Sequence, residues 1–130
     1  MTYKVAIPIR FNDEDNQNHV NHLALIEYIA EARILFIDGL IAKSNVEDLD
    51  YVLVYFSANF VKEVTYPGLV TITPSVMSVG TKSMRTKYKM RNEDEAVMDA
   101  ECVNVFFDDK TGNSTPIPDA LRKKIKEIGG

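Results

Sequence analysis

The chain has one cysteine, no tract biased toward Gly and Ser or toward Pro, no run of like charge, and no apolar stretch of membrane-spanning length. Each absence removes a class of protein. A single thiol cannot close an internal disulfide, which agrees with a reducing compartment. That thiol, Cys102, lies in an alternating segment without a basic neighbour on its own face, and reads as a small core residue. Without biased tracts there is no compositional ground for disorder, a linker or a tail. The opening residues, M-T-Y-K-V-A-I-P-I-R, lack the charged segment and long apolar run of a secretory leader, so a cytoplasmic location is expected. Positive charge is also short: 15 Lys and Arg against 19 Asp and Glu leave a net charge of −4. Neither nucleic acid nor an anionic membrane is expected as a partner, and an anionic ligand would need a local basic patch. No internal repeat is visible.

What is present fits one domain spanning 1–130, with 45% hydrophobic and 26% charged residues, both ordinary for a globular chain. Tyr3 to Phe11 is β-prone and is broken by the polar run from Asn12 to Asn18. From Val20 to Ile41 there is no proline and only Gly39, which predicts a helix. Its apolar residues point in nearly every direction and leave a narrow polar stripe at Glu27, Glu31 and Asp38, so burial on most sides is expected. Four β-rich stretches follow, at Tyr51–Tyr66, Leu69–Val79, Lys82–Arg91 and Ala96–Phe107, separated by breaks of hairpin length. Pro74 inside the second of these cannot donate to a ladder and marks a bulge or an edge. Leu121, Ile125 and Ile128 give a short basic C-terminal helix the spacing to dock.

Charge sets the register of the last two strands. With Arg91 opposite Val97, Lys89 meets Asp99 and Lys87 meets Glu101 on one face. The other face then carries Met84, Thr86, Tyr88 and Met90 against Met98, Ala100 and Cys102, an antiparallel sheet with one apolar side. One strand, one mostly buried helix and four strands are satisfied together when the sheet curls around the helix. The expected class is therefore α+β, a hotdog fold in which a long central helix is wrapped by a five-stranded antiparallel sheet.

The chemistry-bearing segment is R-F-N-D-E-D-N-Q-N-H-V-N-H, from Arg10 to His22. Two acids, two histidines and several amides precede a helix whose first N–H groups have no partners within it. Such a terminus can polarise a carbonyl or hold an oxyanion.

This segment resembles the signature of the 4-hydroxybenzoyl-CoA thioesterase family, roughly R-F-x-D-x-D-x-x-G-H-V-N-N followed by a helix with Y-x-x-E-A-R. The matching residues are Arg10-Phe11, Asp13, Asp15, His19-Val20-Asn21, Tyr28 and Glu31-Ala32-Arg33. The similarity continues in Tyr66-Pro67-Gly68, in Val79 to Ser83 and in Thr111 to Pro118. The resemblance implies hydrolysis of an acyl-CoA thioester, without metal or other cofactor beyond the coenzyme A of the substrate. It implies that Asp15 is the catalytic carboxylate, acting as nucleophile or as general base for water. It places the oxyanion donor at the backbone N–H near His22, where the side chain matters little. Asn18 and His19 would line the substrate, with Ser83 facing the site from a partner chain, and Asn21 and Glu31 would support the site. A homodimer or a dimer of dimers is implied as well. Where the family carries Gly, this chain has Asn18, a residue that tolerates a left-handed backbone but adds a side chain where the thioester would lie.

Other readings attach to the same residues. Asp15 in a polar loop also suits a turn or helix cap. Asp13, Asp15, His19 and His22 form a pattern that could hold zinc or iron, although the family uses no metal. Glu27 and Glu31 lie one turn apart and suit ion pairing or an interface. Arg85, Lys87, Lys89 and Arg91 could meet phosphates of coenzyme A, while pairing with Asp99 and Glu101 is a sufficient structural reason for part of that stripe. A non-catalytic acyl-CoA or acyl-carrier-protein binding module is the chief functional alternative, and Asn18 is the residue that favours it. A dehydratase or hydratase on the same fold is less consistent, because the helical His-and-Asp pattern of that chemistry is not visible.

Overall fold

The computed structural model describes residues 3–15 and 18–128. Asn16 and Gln17 of the polar run, and Met1 and Thr2 of the opening segment, lie outside the described residues. In chain order the elements are β1 (Val5–Pro8), a 3-10 turn (Phe11–Asp13), α1 (His22–Ser44), β2 (Leu49–Phe60), β3 (Leu69–Val79), β4 (Ser83–Asn92), β5 (Glu95–Asp108) and α2 (Asp119–Glu127). The strands form one antiparallel sheet in the order β1-β3-β4-β5-β2. This is the hotdog arrangement, a curled sheet wrapped on a long helix.

Charge pairing and ladder agree over most of the β4–β5 hairpin. Lys87 lies opposite Glu101 and Lys89 opposite Asp99, as the charge pattern requires. At the turn a shift between Met90 and Arg91 places Arg91 opposite Ala96 instead of Val97. That irregularity absorbs one residue, and it leaves both Val97 and Met98 buried. Pro74 pairs with Tyr88 on β4, while β1 on the other side of β3 ends at the Val5–Ile72 pair. Pro74 is therefore at a local edge, where its missing N–H costs no ladder bond.

The helix α1 runs three residues past Ile41 and starts at His22, capped by Asn21, whose side chain accepts the Leu23 N–H. Its buried residues include Leu25, Tyr28, Ile29, Ala32, Phe36, Ile37 and Leu40. Each large side chain so buried contributes about 1.5–3 kcal/mol relative to exposure. The free face is wider than the sequence suggests: Leu23, Ile34 and Leu35 are exposed beside Glu27, Glu31 and Asp38. One curled sheet covers one side of a helix, and α2 adds cover only toward its C-terminal half.

The core has two apolar parts with a polar layer between them. One part joins the N-terminal half of α1, from Ala24 to Ala32, to β1, Tyr88, Met90, Met98 and Cys102. The other joins Phe36, Ile37 and Leu40 to Met84, Phe106 and the buried residues Leu121 and Ile125 of α2. Between them Arg33 donates to Asn104 Oδ1 at 3.1 Å, and Asn104 donates to Thr86 Oγ1 at 3.4 Å. Thr86 and Asn104 are fully buried, so these bonds replace the water each polar group gave up.

Candidate active site

The Arg10–His22 segment folds as a tight hairpin at the N-terminal end of α1. Glu14 bridges Val20 across it, the Asp15 N–H donates to the His19 carbonyl at 2.8 Å, and the Asn18 N–H donates to the Asp15 carbonyl at 3.1 Å. Closing so short a turn needs a left-handed residue, and Asn18 supplies it with φ of 63°. Asp15 itself is exposed, and its Oδ1 lies 3.5 Å from the His19 N–H.

The hairpin is fixed at both ends. The Asn21 N–H donates to the Asp13 carbonyl at 2.7 Å, and the Val20 N–H to the Val64 carbonyl at 2.7 Å. On the other side, Asp13 Oδ2 accepts the Tyr28 hydroxyl at 2.5 Å and Arg10 Nε at 2.7 Å. Arg10 also reaches Glu27 at 3.4 Å and lies 5.5 Å from the Tyr28 ring centre. Partial burial acts to raise the Asp13 carboxyl, but the bonds from Tyr28 and Arg10 outweigh it and hold the group below its usual range. Burial, then the bond to Asp13, pushes the Tyr28 hydroxyl up to about 12.

The helix terminus beside the loop has one donor to spare. The Leu23 N–H is taken by the Asn21 side chain, and the Ala24 and Leu25 N–H groups donate to the Asn21 carbonyl. The His22 N–H makes no hydrogen bond among the described residues. Next to it opens a groove of about 280 Å³ lined by Val20, His22, Leu25, Phe60, Val61, Lys62 and Glu63. The His22 ring meets Phe60 edge-on at 6.2 Å, and His19 Nε2 lies 3.0 Å from Glu63. A carboxylate in the loop, a free N–H at a helix start and a largely apolar groove suit attack on a carbonyl whose acyl group is apolar.

The structure holds Asp15, Asn18, His19 and Asn21 in one hairpin that leads into His22, and of these His22 is the one that lines the groove among the described residues. Ser83 is not among them. It opens β4, whose other end, Asn92, is the one near Gly68 and the site, so Ser83 lies about 30 Å of strand away. Any contribution from Ser83 has to come from a second copy. Glu31 is exposed, and its side chain makes no hydrogen bond or ion pair among the described residues. The hold on the loop comes instead from Tyr28, Asp13 and Arg10, which the sequence offers only as members of the shared pattern. Among the described residues no three His, Cys, Asp or Glu side chains converge as a metal site.

Comparisons with known proteins add the family. Solved structures of similar shape include the probable thioesterase YbaW from Escherichia coli, with TM-score 0.81, 25% identity and 98% of each chain covered. A predicted thioesterase from Bacillus stearothermophilus gives TM-score 0.85 and 22% identity over 98% of this chain and 96% of that one. BH1999, a gentisyl-coenzyme A thioesterase, gives TM-score 0.81 and 16% identity over 95% and 99%. A search of curated protein sequences finds no match. The model of the thioesterase-like superfamily matches residues 9–125, which includes the hairpin, all of α1 and β2 to β5. This chain belongs to the thioesterase-like superfamily, whose general chemistry is thioester hydrolysis.

Proposed function

We propose that this protein hydrolyses an acyl-CoA thioester, with Asp15 as the catalytic carboxylate and the His22 N–H as oxyanion donor. The observation that carries the proposal is the His22 N–H at the start of α1, which makes no hydrogen bond among the described residues and belongs to a residue lining an apolar groove. A donor held in place before the reaction needs no rearrangement during it, which is where such groups gain their effect. Asp15 acts in one of two ways: its carboxylate takes a proton from water that attacks the carbonyl carbon, or it attacks that carbon itself and the acyl-enzyme is hydrolysed. In both, the C–S bond breaks and the thiolate leaves to be protonated. The coenzyme A carrier is supported by the sequence pattern and by one similar fold being a gentisyl-coenzyme A thioesterase.

The active form is a homodimer or a dimer of dimers. β2 is a 12-residue edge strand paired with β5 alone among the described residues, and its consecutive residues Val52, Leu53, Val54 and Tyr55 are 47%, 37%, 58% and 48% exposed. Apolar residues exposed on both faces of a long edge are a liability unless another strand covers them, and antiparallel pairing with a second copy is self-complementary. The same pairing would place a partner against Phe60 and the groove, which lie at the end of this strand.

Thiol release from a panel of aromatic, short-chain and long-chain acyl-CoAs tests the reading. Turnover of at least one class with saturable kinetics is expected. Tight acyl-CoA binding with no thiol release would instead identify a binding module, in which the Asn18 side chain occupies the position of the reacting carbonyl.

A further inference from the structure

We propose that Asp13 and Tyr28 act as a positioning pair that sets Asp15 at its working distance from the start of α1. The proposal rests on the assignment of Asp15 as the catalytic carboxylate and goes beyond it, because neither residue touches the reacting atoms. Asp13 is held through its backbone by the cap of α1 and through its side chain by α1 itself. Its carbonyl accepts the Asn21 N–H at 2.7 Å, and its Oδ2 accepts the Tyr28 hydroxyl at 2.5 Å.

The geometry makes this a two-point attachment. Asn21 is the cap of α1, immediately before the free His22 N–H, so the Asp13 carbonyl fixes the loop relative to the oxyanion donor. Tyr28 lies seven residues after Asn21, about 10 Å along the axis from backbone to backbone, so the second contact stops the loop from pivoting about the first. The Tyr28 ring is buried to 2% exposure within the core cluster, which leaves its hydroxyl little freedom to follow a moving loop. Arg10 completes the clamp by bonding the same Asp13 oxygen from the solvent side at 2.7 Å and reaching Glu27 on α1. Two residues further on, Asp15 inherits whatever position Asp13 is given. A displacement of about 1 Å in a reacting group costs on the order of a hundredfold in rate, so the clamp acts on turnover more than on binding.

The test compares Tyr28→Phe with wild type, and uses Tyr51→Phe as control. Tyr51 donates a similar bond, to Asp38 at 2.7 Å, but at the other end of the helix. Two readouts are taken: kcat and KM for thioester hydrolysis, and backbone hydrogen exchange at the Asp15 and Asn21 N–H groups relative to β4 and β5. In Tyr28→Phe, kcat is expected to fall about ten- to a hundredfold with KM within about threefold. Exchange at Asp15 and Asn21 should quicken at least about tenfold while the sheet is unchanged. Asp13→Asn, which keeps the size and one acceptor, should show the same pattern in weaker form, and Tyr51→Phe should show neither effect. With Asp15 catalytic, an unchanged kcat in Tyr28→Phe overturns the proposal whatever the exchange shows, and so does a fall in kcat without faster exchange at the loop. Asp15→Asn in the same assay keeps the two claims apart. Wild-type turnover there removes Asp15 from the mechanism, and loop exchange in Tyr28→Phe then decides the clamp by itself.

Discussion

Asn18 carries two demands at one position. Its φ of 63° closes the hairpin between Asp15 and His19, and its side chain extends where a glycine would leave space. Asn18→Gly keeps the backbone conformation, so stability should change by less than about 1 kcal/mol. If the side chain merely crowds the substrate, kcat/KM rises; if it binds the acyl group or the carrier, kcat/KM falls, and steady-state kinetics on the two proteins decides between them. Asp13 makes a different prediction, in pH. Its carboxyl is held below the ordinary value, so the native state gains stability from it above about pH 4, lost as pH falls through the native pKa. Urea unfolding of Asp13→Asn should therefore depend less steeply on pH below about pH 4 than wild type. A parallel slope for the two proteins would show that Asp13 is no better stabilised folded than unfolded. The sequence pattern gives a role to Asp15 and none to Asp13, because only the fold shows that Asp13 faces Tyr28.

The elements were largely legible because each has its own local signal. β3 occupies Leu69–Val79 as bounded by Pro67-Gly68 and Gly80, and the charge pattern registers β4 on β5 at Lys87 and Lys89. What the pattern misses depends on contacts between elements. Β-rich residues past Phe60 leave the strand because Val61 and Lys62 both turn their N–H groups to the Val97 carbonyl. The polar layer across the core is also invisible in sequence, since Arg33, Thr86 and Asn104 meet only after the helix lies on the sheet. Asn104→Ala leaves Arg33 without its partner beside the core and should cost about 1–3 kcal/mol in urea unfolding. Tyr88 is the contrasting case: its hydroxyl is buried with no hydrogen-bond partner among the described residues. Tyr88→Phe should then leave stability unchanged or raise it, and a loss above about 1 kcal/mol would mean the hydroxyl is satisfied in solution.

At the scale of the whole molecule, two proposals are tested together: that a second copy covers β2 and that the site turns over a thioester. No helix among the described residues is long and apolar enough to cross a membrane, and for the apolar strand edge at Val52 to Tyr55 the proposed cover is a second copy of the chain. Val54→Lys places a charge in the middle of that edge without touching the core. Light scattering at micromolar concentration is expected to show the wild type as a dimer or larger and Val54→Lys shifted toward monomer, with activity falling in step. A wild type that is monomeric and fully active would show that one copy completes the site. The catalytic claim is tested most directly by the thioester turnover of Asp15→Asn against wild type on the best substrate of the acyl-CoA panel. Loss of a general base or nucleophile should lower kcat by about 10²–10⁴-fold with the fold intact. A kcat within about threefold of wild type would contradict the assignment of Asp15, and with it the account of this site.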